Sequence, residues 1–237
     1  MGSYSTDLRP DRTVAPSPAP PHDPAVESLL AALQPGLSQL SADGKRLPEP
    51  LDVSVFNGHS ALVVIDLEMS GPNPQTHEVL ELGGVRATLA PALPEEASWG
   101  ARVKPLHIGN AVPGALKVVG YSPKAWKDAI DLDTAMARLV ELGRGAIISG
   151  WGIGQDLTFL FETIRRTGGG DWPFAPFVLD VQPIARKLLA GTGSVDRFNL
   201  GHVADRLGIG RMGEHSALAD AYATYDVLVK LLEHPAN

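Results

Sequence analysis

Ala61, Leu62, Val63, Val64 and Ile65 form an unbroken apolar run with no polar position between them. Such a run predicts a central β-strand covered on both faces. Segments 79–89 and 99–103 carry further β-type patterns and predict a second and a third strand. Beyond them the period changes. Helical spacing over 133–142 is followed by a short buried strand at 146–148, closed by Gly150. Leu157, Leu160, Phe161 and Ile164 then recur at i, i+3, i+4 and i+7, the stripe of an amphipathic helix. A short strand at 177–179 precedes a helix that Asp180 can cap, Pro183 being tolerated in its first turn. Asn199 is placed to cap a helix over 200–207 that Gly208 ends. The last helix is predicted over 216–232, with Leu218, Tyr222, Tyr225, Val229 and Leu232 as its stripe. Strands first, then strand–helix alternation, predict an α/β fold: a mixed β-sheet with helices on both faces.

The first 50 residues read differently. They hold 9 of the 20 prolines, and 13–24 has almost no large apolar residue. That stretch cannot bury enough surface to offset its ordering entropy and is expected to be disordered or polyproline-like. A short helix is expected at 24–33, with Leu29, Leu30 and Leu33 on one side. The organisation predicted is a disordered or loosely docked N-terminal arm over 1–57, a possible tether for a protein partner, followed by one folded domain over 58–237.

Composition narrows the chemistry. The chain has 237 residues, 44% of them hydrophobic, enough for a substantial core. No apolar run reaches the roughly 18 residues of a membrane span. The N-terminus lacks a basic region followed by an apolar stretch, so a secretory signal is not expected and the cytoplasm is the default location. With no cysteine, a disulfide scaffold, a thiolate zinc site, an iron–sulfur cluster and a cysteine nucleophile are excluded. A net charge of −7 argues against a broad electrostatic grip on nucleic acid, although clustered carboxylates that bind cations contribute to it.

Asp66 and Glu68 directly follow the apolar run. Residues i and i+2 of a strand point to one side, so these carboxylates repel each other unless a cation lies between them. A hard divalent ion with oxygen ligands suits that place. Taken alone, a D-x-E at a strand end is more often just solvated. Asp156 opens the amphipathic helix after the turn Gly150-Trp-Gly-Ile-Gly154. That turn lacks the Lys-Ser/Thr of a phosphate loop, and its spacing is not a dinucleotide fingerprint. Asp156 by itself could serve only the helix dipole. His215 and Asp220 are five positions apart, about 140° on a helix, so they converge only if His215 precedes the helix and Ser216 caps it. A histidine so placed can act as a base.

Together these motifs resemble the DEDDh 3′–5′ exonuclease family. Val63-Val-Ile-Asp-Leu-Glu-Met-Ser-Gly71 is similar to its first motif, and Glu78-Val-Leu-Glu-Leu-Gly-Gly-Val85 to the strand that follows. Gly154-Gln-Asp-Leu-Thr-Phe-Leu160 is similar to the second motif and His215-Ser-Ala-Leu-Ala-Asp220 to the third. The resemblance implies an RNase H-like fold and removal of nucleotides from 3′ ends of single-stranded DNA or RNA with two Mg²⁺ or Mn²⁺ ions. It implies that Asp66 bridges both ions, that Glu68 and Asp220 hold the water-activating ion, and that Asp156 supports the second. His215 would deprotonate the water. Leu67, Met69 and Ser70 would contact the terminal nucleotide. Many members carry His-Asn where this chain has Trp151 and Gly152. Segments 65–69 and 153–156 are most similar to oligoribonuclease, whereas 198–209 is more similar to the proofreading and RNase T branches.

Two other readings stay open from sequence: a non-catalytic nucleic-acid- or polymerase-binding module on the same fold, and a hydrolase of small nucleoside phosphates. Glu81 reads as a carboxylate behind the metal ligands or at the core edge, and His202 as a structural histidine. Arg165, Arg166, Arg186, Lys187, Arg206 and Arg211 read as solvated helix positions.

Overall fold

A computed structural model describes residues 24–41, 45–46, 59–167, 171–189, 198–210 and 216–233. The elements run α1 (Pro24–Leu33), β1 (Leu37–Gln39), β2 (Ala61–Met69), β3 (Val79–Thr88), β4 (Glu95–Arg102), α2 (Pro113–Val118), α3 (Leu132–Gly143), β5 (Ile147–Gly150), α4 (Gly154–Arg166), β6 (Phe177–Asp180), α5 (Val181–Leu189), α6 (Leu200–Arg206) and α7 (Ala217–Glu233). The strands form one sheet in the order β1-β6-β5-β2-β3-β4. β2, β5 and β6 run parallel, while β3, β4 and β1 are antiparallel to their neighbours. This is the mixed sheet expected, in an RNase H-like arrangement.

The apolar run explains why β2 sits centrally. Leu62 and Val64 join a core under α5, α6 and α7. Val63 and Ile65 join the opposite core under α3 and α4. Alternation continues beyond the run, so Asp66 and Glu68 project on the face of Leu62 and Val64, the face α7 covers. Asn199 caps α6 by accepting the His202 N–H. Ser216 caps α7, its Oγ accepting the Ala219 N–H at 3.3 Å. No helix among the described residues is long and apolar enough to cross a membrane.

Two expectations need correction. The stripe of α7 is displaced: its buried positions are Ala217, Ala221, Ala223, Thr224, Val227, Leu228 and Leu231. The reason is close approach. A methyl group on Gly83 of β3 would collide with the backbone of Ala217 and Leu218, so the helix meets the sheet through small residues. The bulky residues flank it, with Tyr222 donating its hydroxyl to Glu95 Oε1 at 2.7 Å and Tyr225 donating to Leu93 O at 2.7 Å.

The second correction concerns the arm. Helix α1 lies where the sequence puts it, but Leu29, Leu33, Leu37 and Leu40 are all buried. β1 pairs with β6, Leu37 opposite Leu179. Residues 24–40 are thus built into the sheet edge and the core, and are not a loosely docked tether. The leucines escape a periodicity search because a proline-containing turn changes the element type between them. Of the stretch 13–24, expected to be disordered or polyproline-like, 13–23 lies outside the described residues and Pro24 opens α1.

Candidate active site

β2 ends at the carboxyl edge of the parallel strands, where it delivers Asp66 and Glu68. α7 delivers Asp220 in its first turn. One carboxylate oxygen from each of Asp66, Glu68 and Asp220 can be chosen so that all lie within 4.8 Å of one another. Oxygens sharing a hard cation at about 2.0–2.6 Å each are at most about 4–5 Å apart, so the donor set fits a divalent ion. Asp156 comes from the other face of the sheet, in the first turn of α4. Its Oδ1 accepts the N–H of Leu67 at 3.0 Å, which ties the second motif directly to the first. Gln155 adds a second tie, donating Nε2 to Pro72 O at 2.7 Å. The structure therefore gathers Asp66, Glu68 and Asp220, with Asp156 alongside. His215 lies outside the described residues.

The carboxylates strain against one another. Burial first, then the charges of Asp156, Glu68, Asp220 and Glu81, hold the Asp66 carboxyl well above the usual range. Burial, then Asp220, Glu81 and Asp156, pushes Glu68 up to about 7. Asp156 is pushed up to about 7 mainly by burial, with the Asp180 charge adding to it and the Leu67 N–H opposing it. Every cause acting on Asp66 disfavours the anion, which is the electrostatic demand that a bound cation meets.

A prediction follows for metal-free protein. Between the ordinary carboxylate range near 4 and about pH 7, the folded chain holds protons that the unfolded chain has released. Stability in EDTA is therefore greatest at acid pH and falls as pH rises through 7. Discounting Glu68 for its exposure, the loss is of the order of a few kcal/mol, or roughly 5–10 °C in Tm. Divalent metal must bind the anions, so its stabilising effect is expected to be larger at pH 8 than at pH 5. Thermal melts with and without Mn²⁺ across that range check both signs.

Supporting residues complete the frame. Glu81 is buried on β3; its Oε2 accepts the Ala217 N–H at the start of α7 (3.1 Å), and its Oε1 accepts from Arg102 Nε (2.9 Å). It holds the Asp220 helix to the sheet, the supporting place expected for it. Ser70 is buried, its Oγ accepting the Glu78 N–H at 2.8 Å, and Leu67 packs in the core, so Met69 is the more open of the three residues expected at the terminal nucleotide. Trp151 packs against the core, and the Gly152 N–H donates to Asp180 Oδ1 at 2.8 Å, so the turn that carries Trp151-Gly152 is held through Asp180. Arg165 and Arg166 pair with Glu162 on the α4 surface, and His202 Nδ1 lies 2.7 Å from Asn199 Oδ1, as their structural readings expected. Asp180 caps α5 as expected, accepting the Gln182 N–H, but its bond to Gly152 and that of Gln155 to Pro72 have no local pattern in the sequence. Adjacent glycines at 83 and 84 in a strand were a usable sign of close packing.

Comparison with known proteins decides the lineage. The family model of RNase T-type exonucleases matches residues 63–228, from the apolar strand into the last helix. The chain belongs to this exonuclease family. Among curated relatives, DNA polymerase III subunit epsilon of Aquifex aeolicus is 27% identical over 172 residues, covering 72% of this chain and 80% of that protein. The PolC-type DNA polymerase III of Thermotoga maritima is 24% identical over 205 residues, covering 86% of this chain but 13% of its own length. The chain thus spans only a small part of the PolC-type relatives it matches. In structure it is similar to E. coli exonuclease I in complex with a dT13 oligonucleotide, with a TM-score of 0.61 and 21% identity over 75% of this chain and 42% of that one. That likeness shows the shared fold. The acidic cluster and the family together make it a divalent-metal-dependent design.

Proposed function

We propose that this chain is a 3′–5′ exonuclease that removes nucleoside monophosphates from the 3′ ends of single-stranded DNA or RNA, using two Mg²⁺ or Mn²⁺ ions. The observation that carries the reading is the convergence of Asp66, Glu68 and Asp220 oxygens within 4.8 Å, beside an Asp156 fixed to the backbone between the first two. Bound ions would stabilise the attacking and leaving oxygens of an in-line displacement. Asp66, Glu68 and Asp220 would hold the ion that activates water, and Asp66 with Asp156 would hold the second. His215, adjacent to the cap of α7, takes the proton of the attacking water. Leu67 and Met69 border the terminal nucleotide, and Ser70 fixes the turn that follows them.

The partner class is a single-stranded 3′ end; support comes from the similar E. coli exonuclease I, whose structure holds a dT13 oligonucleotide. A paired end must first be opened at a cost of a few kcal/mol, so matched blunt duplexes are expected to be cut at least roughly 10-fold more slowly than single strands. A 3′-terminal phosphate should also slow the reaction, by adding charge where the terminal hydroxyl sits. Rates on matched single-stranded, blunt and 3′-phosphorylated oligonucleotides test this; equal rates on all of them would remove the 3′-end reading.

A further inference from the structure

The N-terminal segment reaches the active-site edge of the sheet through close-fitting contacts. Any side chain on Gly36 would collide with the carbonyl oxygen of Asp180, so the turn after α1 is seated directly on the end of β6. Leu40 donates its N–H to Pro176 O at 2.9 Å and forms a β-bridge with Arg46. That bridge returns the chain toward Asp180, where Arg46 Nη2 donates to Oδ2 at 2.8 Å. The Asp180 side chain is 6% exposed, against 33% for Arg46.

The other oxygen of Asp180 faces the catalytic side. Oδ1 accepts from the N–H of Gly152 at 2.8 Å and of Gln182 at 3.1 Å. Gly152, at φ 59°, lies in the turn between β5 and α4, and α4 presents Asp156 in its first turn. A chain of direct bonds therefore runs from Arg46 through Asp180 to the turn that launches Asp156. Without Arg46, Asp180 would be a buried carboxylate lacking its cation, beside a site that already gathers four others.

We propose that Arg46 is a positioning residue of the metal site: by fixing and neutralising Asp180 it sets the 150–154 turn, and so makes the N-terminal segment part of the catalytic apparatus. The proposal rests on the exonuclease reading only for the assignment of Asp156 as a metal ligand. Partners that orient metal ligands in this way typically contribute 10–100-fold in affinity or activity.

The test uses the full chain, with Mn²⁺ binding followed by electron paramagnetic resonance without nucleic acid, and kcat and KM measured on a single-stranded oligonucleotide. Arg46→Gln is expected to weaken Mn²⁺ binding and lower kcat by about 10–100-fold each, with KM unchanged. Arg46→Lys, which keeps the charge, should recover most of both. Asp180→Asn retains an oxygen for Gly152 while removing the charge, so adding Arg46→Gln to it should cause no further loss of Mn²⁺ affinity. That comparison carries the test if Arg46→Gln alone fails to fold. Wild-type Mn²⁺ affinity in Arg46→Gln would overturn the proposal, as would a raised KM at unchanged kcat, which would make Arg46 a substrate contact. So would a further loss in the double variant. A wild-type chain that binds Mn²⁺ but releases no nucleotide would instead sink the exonuclease reading and leave the Mn²⁺ comparison standing.

Discussion

Asp66→Ala is expected to lower kcat by at least about 10³-fold while leaving the fold intact. Divalent ions contribute several kcal/mol of transition-state stabilisation, and each 1.36 kcal/mol is tenfold in rate. Asp66 is buried, and the charges of Asp156, Glu68, Asp220 and Glu81 all act on its carboxyl. Removing it dismantles the site rather than trimming it. The same substitution relieves like-charge repulsion, so in EDTA at pH 8 the variant should melt no lower than the parent. Steady-state kinetics and thermal melts measure both halves. Substantial residual activity would mean that the cluster is not the reaction centre.

His215→Ala is expected to cost about 10²–10⁴ in kcat, the usual range for loss of a general base, with Mn²⁺ affinity little changed. The placement argument is local. Ser216 caps α7 and the next N–H, of Ala217, is held by buried Glu81. In sequence His215 directly precedes this anchored start, five positions before Asp220. A proton acceptor there serves the water without ligating the ion, which is why rate and metal affinity should separate. Calorimetric Mn²⁺ titration alongside the rates decides it: a large loss of binding would make His215 a ligand.

How much of this was legible in the sequence depended on whether the signal was local. β2 could be read because its two covered faces leave no polar position in five residues, and the pair at its end followed from a strand's period of two. Asn199 and Ser216 could be read as caps because capping acts across three residues. The buried stripe of α7 differs from the one its bulky residues predict because the approach of Gly83 demands small ones. α2, with six residues, is too short to show a period. β1 has three residues, and its pairing with β6 is set by a partner far along the chain. The Arg46–Asp180 pair spans 134 positions, and neither residue stands in a motif. Long-range contacts of that kind build an expected tether into the sheet edge.

The most direct measurement of the central claim is the product pattern from a 5′-labelled single strand and from a circular single strand of the same sequence, each with Mn²⁺ and with EDTA. The carboxylate site described here predicts metal-dependent shortening of the linear strand from its 3′ end, one nucleotide at a time, with the circle intact. Internal cuts in the circle, or shortening that persists in EDTA, would contradict it.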